Sequence, residues 1–340
     1  LELGYLVMKK IIYVIQHTGL AGGVKVAYEH LNGLKKRGYK VAVFHIAGPN
    51  KPEWFETRFP FFQFPDYPAL VDALEFEDAI KVATWWMTAY GVRQGIEKNE
   101  GFYLVQDIET SYSTNMDEVR AIFKTYELGL SIFTDSTWVQ DQLQRMYQYK
   151  VPHVPPAIDH SVFYPRSERE PNRILYLDRS HFLKGREVFE AALSYAFKHN
   201  NSLTLTTFGA EPGHHYGDIP HEHILFPSDH KIAELYSSAA CFVLTSHHEG
   251  FGIPLLEAMA CGCPVVTTKA DGNESFCADN FNCLMVNKGD SQAVGEAIVK
   301  VFEDENLRKK LIDNGLKTAS KFDWDKSIDK LQKILGLATD

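Results

Sequence analysis

Glu249 and Glu257 bracket the stretch Gly250-Phe251-Gly252-Ile253-Pro254-Leu255-Leu256, in which a glycine turn runs into a helix. Gly250 and Gly252 let the backbone approach a ligand closely, and Pro254 suits the first helical position, where its missing N–H leaves nothing unsatisfied. The free N–H groups of such a helix start can hold a phosphate or sugar oxygen. An ionised carboxylate only accepts hydrogen bonds, so Glu249 before the turn and Glu257 on the helix suit hydroxyl donors. A lone helical glutamate is ordinarily a solvated surface residue. Phosphate on amides and hydroxyls on carboxylates is what a nucleotide sugar would satisfy.

A strand ends at Thr245 before this turn, the helix closes at Gly262, and Pro264 to Thr268 is the next strand, so the whole stretch is one βαβ unit. The same alternation runs through the chain. In the first half, Ile11 to Ile15 is followed by Gly19 to Gly23, a helical pattern at Val26, Leu31 and Leu34 closing at Gly38, and then Val41 to Ile46. Phe102 to Val105 and Leu130 to Thr134 are further strand runs separated by helical stretches. Continuous apolar strands alternating with helices predict a parallel sheet. Around Pro152, Pro155, Pro156, Pro165 and Pro171 the periodicity fades, which marks a linker near 155–171. A second α/β domain follows, with strands at Arg173 to Leu177, Leu203 to Phe208, Ile224 to Phe226, Cys241 to Thr245, Pro264 to Thr268 and Cys283 to Val286. The expected fold class is therefore α/β, two Rossmann-like doubly wound domains facing a central cleft, divided as 8–157 and 158–320.

The 340 residues are more than one hydrophobic core usually serves, in keeping with two domains. Apolar residues make up 45% and charged residues 23%, which excludes collagen-like and largely disordered chains. Net charge is −9 and neither half is basic, so a nucleic-acid partner is not expected, and an anionic ligand must be held by a few local cations. No apolar run reaches the roughly 18 residues of a membrane helix, and the run after Lys10 is too short for a signal-peptide core, so the expectation is cytoplasmic. Leu1 to Val7 precede Met8, the expected start, and carry no structural weight. Five cysteines, an odd number, without a secretion signal read as reduced thiols; Cys261-Gly262-Cys263 lacks a second pair to complete a zinc site.

The stretch Thr245 to Val266 resembles the E-x7-E signature of the retaining glycosyltransferases of family 4, the group 1 transferases with the GT-B fold. The resemblance extends to Ala270-Asp271-Gly272-Asn273-Glu274-Ser275 and covers most of residues 8–335. Gly22-Gly23-Val24 is similar to the family's N-terminal glycine loop, which lies beside donor phosphates and acceptor. Arg179 and Lys184 match its Arg-x4-Lys pair, Phe226-Pro227-Ser228-Asp229 its base-binding strand end, and Val154 to Asp159 its interdomain segment, with Pro156-Ala157 where Asn-Gly is usual. Phe322-Asp323-Trp324 resembles the start of a C-terminal helix, here 321–340, that in this fold can cross back to the first domain. The resemblance implies a donor site of Gly22, Gly23, Arg179, Lys184, Pro227, Glu249, Gly250, Phe251, Gly252, Ile253 and Glu257. The reacting centre it implies is Glu249, Arg179, Lys184 and Asp107.

Two fixed cations make chemical sense beside a nucleoside diphosphate, whose negative charge grows as the glycosidic bond breaks; they stabilise it without a metal. No metal and no cofactor are expected, the partner being a UDP-sugar donor carrying a glucose-like hexose. The acceptor is an unnamed sugar or lipid-linked hydroxyl, with a peripheral contact at the inner membrane face left open. Gln106 stands where many relatives carry His and cannot titrate, and Asp107 either accepts from a sugar hydroxyl or caps the next segment. Asp323-Trp324-Asp325 has D-x-D spacing but is better read as a helix cap. His214, His215, His221 and His223 read as a solvated loop, and Trp85, Trp86 and the Phe59 to Phe64 cluster as core or as an acceptor platform. Two other readings are an NAD-dependent oxidoreductase, against which Gly19-Leu20-Ala21-Gly22-Gly23 lacks G-x-G-x-x-G spacing, and a noncatalytic nucleotide-sugar-binding module.

Overall fold

The apolar run around Tyr13 forms β1 (Lys10–His17), which feeds α1 (Gly22–Lys36) and returns as β2 (Val41–Ala47). The computed structural model describes residues 9–96, 101–148, 150–166 and 168–337. The expected start at Met8 lies outside the described residues. The chain forms two units, the first comprising residues up to Pro156 together with those from Trp324 on, the second Ala157–Asp323.

In the first unit, β3 (Phe61–Gln63), α2 (Tyr67–Glu75), β4 (Ala79–Ala83), α3 (Trp86–Gln94), β5 (Gly101–Val105), α4 (Met116–Thr125), β6 (Ser131–Thr134) and α5 (Thr137–Tyr147) follow. The six strands lie in the order β3-β2-β1-β4-β5-β6 and pair in parallel. Alternate residues of β1 enter different cores: Ile11, Tyr13 and Ile15 pack with Tyr28 and Leu31 of α1, while Ile12 and Val14 pack with Leu70, Leu74 and Val92. A strand buried on both faces reads as a continuous apolar run, which is why β1 is conspicuous in the sequence. β3 and β4 are not. β4 carries the buried Lys81 at its middle, which breaks the apolar run, and β3 is three residues between Pro60 and Pro65 at the sheet edge, where proline is tolerated.

The second unit contains β7 (Arg173–Leu177), α6 (Arg186–His199), β8 (Thr204–Gly209), β9 (His221–Leu225), α7 (Asp229–Ser238), β10 (Cys241–Leu244), α8 (Ile253–Ala260), β11 (Val265–Thr268), β12 (Leu284–Val286), α9 (Ser291–Glu303) and α10 (Glu305–Ala319). Its order, β12-β11-β10-β7-β8-β9, repeats that of the first unit strand for strand. In each, the first and fourth strands are neighbours, and the chain leaves them in opposite directions across the sheet. The crevice outside the carboxyl ends of such a strand pair is where doubly wound sheets bind ligands.

β9 begins three residues before the expected Ile224, so His221 and His223 are strand residues and not part of a loop. The hydroxyl of Thr207 lies 2.8 Å from both His221 Nε2 and His223 Nδ1, and His223 Nε2 donates to the Glu211 carbonyl at 2.9 Å. A proton on His223 Nε2 makes its Nδ1 the acceptor of the Thr207 hydroxyl. These side chains thus satisfy one another at an edge strand. Among the described residues no group of three or more His, Cys, Asp or Glu side chains is arranged to hold a metal ion.

The last helix, α11 (Trp324–Ile334), begins directly after Asp323 and packs in the first unit. Ile328, Leu331 and Leu335 join the core beneath α1, and Gly33 supplies the cradle: a Cβ there would lie 2.5 Å from Ile328 Cγ1. Trp324 stands edge-on to the buried His30, Ser327 donates to the Pro155 carbonyl at 2.8 Å, and Arg37 pairs with Asp329 at 2.6 Å. No helix among the described residues is long and apolar enough to cross a membrane.

Candidate donor site

Arg179 follows β7, and Glu249 follows β10, on either side of the second unit's switch point. Arg179 Nη2 donates to Glu249 Oε1 at 2.7 Å, Lys184 Nζ to Glu249 Oε2 at 3.1 Å, and Ser246 Oγ to Glu249 Oε1 at 2.6 Å. Lys184 also reaches the His248 carbonyl at 3.2 Å. The two loops are joined through their backbones, since the Leu183 carbonyl accepts from His247 N at 2.8 Å. Glu249 is 7% exposed. Burial alone would push its carboxyl up; the Arg179 and Lys184 charges and the Ser246 hydroxyl overcome that and hold it at about 2, against an ordinary 4.5. Two cations face one carboxylate here, a surplus of positive charge. Arg179 Nε, also buried, finds no hydrogen-bond partner among the described residues.

Gly252 has φ of 94° and turns the chain into α8, where Pro254 lies in the first turn. Glu257, on the second turn, is 6% exposed, so it is not a solvated helix residue. It lies close enough to Tyr236 and Cys261 to raise the pKa of each, behind the larger effect of their burial. Phe251 is buried against Phe276 and Phe322, which leaves its backbone, not its ring, for a ligand. Ile253 packs partly on the same core. Pro227 stands in the turn between β9 and α7, ahead of Ser228, which caps α7.

Residues 217–318 of this unit match the family described as Glycosyl transferases group 1. Over that stretch the chain is similar to the group 1 glycosyltransferases. A D-inositol 3-phosphate glycosyltransferase of Acidothermus cellulolyticus is 26% identical over 216 residues, covering 55% of this chain and 47% of that protein. An uncharacterized glycosyltransferase of Methanocaldococcus jannaschii, MJ1178, is 32% identical over 104 residues, covering 31% and 30%. The chain thus spans less than half the length of these relatives. Among solved structures, Anabaena HepE in complex with UDP-glucose aligns with a TM-score of 0.82 at 17% identity, covering 96% of this chain and 99% of that one. The sucrose-phosphate synthase of Thermosynechococcus elongatus aligns with a TM-score of 0.76 at 16% identity, covering 96% and 98%. The fold of this chain is accordingly the two-unit α/β fold, GT-B, that the resemblance implied.

The remaining residues implied by the resemblance lie in the first unit. Gly22 opens α1 with open space where a side chain would be, whereas a Cβ on Gly23 would lie 2.9 Å from the Gln106 carboxamide nitrogen. Asp107 accepts from its neighbour's backbone, Ile108 N, at 2.7 Å and from the Tyr112 hydroxyl at 2.6 Å. Beyond it lie two acids that no motif flagged. Glu109 accepts from the Tyr103 hydroxyl at 2.8 Å, and Asp135 has an oxygen, Oδ1, without a partner among the described residues. Burial pushes both carboxyls well above their ordinary range, and the negative charge of Asp107 adds to this.

Sequence reasoning also passed over Ser246, which holds both Arg179 and Glu249, and the ion pair of Arg186 with Asp178 at 2.7 Å that fixes the start of α6. Ser246 sits in the quoted motif but makes no charge pattern. Asp178 and Arg186 straddle the Arg179 to Lys184 loop, and only the closure of that loop brings them together.

Proposed function

We propose that this chain is a group 1 glycosyltransferase that moves a glucose-like hexose from a UDP-sugar to a hydroxyl acceptor, with retention at the anomeric carbon and without a metal cofactor. The observation that carries this reading is Arg179: one nitrogen is held by Glu249 and another is a buried donor with no partner among the described residues. A diphosphate oxygen supplies the missing acceptor. In this reading Arg179 and Lys184 take up the charge that grows on the leaving diphosphate, Glu249 accepts from a hexose hydroxyl, and Glu257 accepts from the ribose. The N-terminal amides of α8 face the phosphates. No protein nucleophile is assigned; orientation and charge stabilisation are the protein's contributions, and the leaving phosphate takes the acceptor proton. Binding of UDP-glucose by Anabaena HepE supports the donor class.

Calorimetry on the full chain tests this. Glu257→Ala is expected to weaken UDP binding by about 1.5–3 kcal/mol, the worth of a hydrogen bond to a charged acceptor. Glu249→Ala should leave UDP affinity unchanged and weaken UDP-glucose. Equal losses for the two ligands in both variants would sink the division of roles. Donor hydrolysis that EDTA abolishes and manganese restores would overturn the metal-free reading.

A further inference from the structure

Asp271 is a non-glycine residue with φ of 67° and ψ of −94°, near the γ-turn region that L side chains rarely occupy. Strain of this kind persists only where the surroundings over-determine it, and it gathers at functional sites. The surroundings are explicit. Glu249 N donates to the Ala270 carbonyl and Gly272 N to the Glu249 carbonyl, each at 2.9 Å, so Asp271 is clasped directly against Glu249. A Cβ on Gly272 would fall 1.8 Å from the Gly250 carbonyl, so the contact has no slack. The Asp271 side chain then receives His248 Nδ1 and Lys288 Nζ, both at 2.6 Å on Oδ2. His248 belongs to the loop after β10, Asp271 to the loop after β11 and Lys288 to the loop after β12. One carboxylate oxygen therefore ties together three successive loops at the carboxyl edge of the sheet, the first of them carrying Glu249.

We propose that Asp271 is a positioning residue for the donor sugar: through His248 and the paired backbone it fixes where the Glu249 carboxylate points, with Lys288 closing the clamp. Asp271 touches no ligand in this account, and its strain is retained because the loop geometry needs the carboxylate at that spot. The inference rests on the proposed role of Glu249 at the hexose.

Asp271→Gly separates this role from a merely structural one, because glycine adopts the observed φ freely while the carboxylate is lost. The expected result is a melting temperature equal to or above that of the parent chain, UDP affinity within twofold, and UDP-glucose affinity lowered about tenfold. His248→Gln, which keeps a donor toward Asp271, should retain more UDP-glucose affinity than His248→Ala. Full UDP-glucose affinity in Asp271→Gly, or a loss shared equally by UDP and accompanied by a lower melting temperature, would overturn the proposal. Hydrogen exchange at the Glu249 and Gly272 amides provides a second readout that needs no ligand. Faster exchange confined to those loops in Asp271→Gly supports the clamp, and unchanged exchange overturns it. If the parent chain itself binds no UDP, the donor reading has failed, and the exchange result alone decides whether the clamp exists.

Discussion

The two units share one strand order and differ in what stands at the carboxyl ends of their strands. In the second, Arg179 and Lys184 outnumber the carboxylate they hold, and Glu249 is drawn down to about 2. In the first, Asp107, Glu109 and Asp135 crowd together with tyrosines, and Glu109 and Asp135 are pushed up. The same scaffold thus presents a positive crevice in one unit and a buried acidic one in the other. The proposed diphosphate-bearing donor has an electrostatic reason to engage the second unit.

The largest expected effect falls on the positive crevice. Arg179→Ala and Lys184→Ala should each reduce kcat for donor cleavage or transfer by about 10²–10³, the size of effect seen when one charge-stabilising donor is removed, with a smaller change in KM. Steady-state kinetics decide it, and a change confined to KM would mean the cations bind ground state and transition state alike.

A medium effect separates the two units by the sign of their pH response. Glu249 has a depressed folded pKa, so its stabilisation is present above about 4.5 and is lost as pH falls toward about 2. Glu109 has a raised folded pKa, so its favourable contribution is present below its ordinary 4.5 and is lost as pH rises through the raised value. Glu109→Gln, neutral at every pH, should therefore become more stable relative to the parent as pH climbs from 4 to 8. Urea midpoints across that range would show it, and a variant that loses stability relative to the parent as pH rises would reverse the assignment. The smallest effect is expected for Tyr112→Phe, which removes one donor from Asp107 and should cost about 0.5–1.5 kcal/mol of stability. Turnover should stay within twofold if Asp107 caps its own loop; a tenfold fall would move Asp107 into the reacting centre.

The α/β alternation and the second unit's site were legible because both are local in sequence. The strands β1, β7 and β10 are short apolar runs, and the Glu249 to Glu257 turn declares itself by glycine, proline and acid within one βαβ unit. What escaped depends on contacts across the fold. β4 hid behind Lys81, a charge inside a central strand. Asp271 stood only as one member of the stretch Ala270 to Ser275, because its strained φ and its hold on His248 and Lys288 exist only once three loops meet. Glu109 and Asp135 gave no signal, since acids are ordinarily solvated and nothing local announces burial.

The placement of α11 has a consequence for the order of synthesis. The core beneath α1 includes Ile328, Leu331 and Leu335, and the ring facing His30 belongs to Trp324, so the unit whose strands leave the ribosome first is also the one completed last. During the interval in which Ala157–Asp323 is made, the groove at Gly33 stands open and the apolar surface around Leu31 and Leu34 has no cover from α11. A nascent chain that exposes such surface is prone to aggregation and is a natural client for a chaperone.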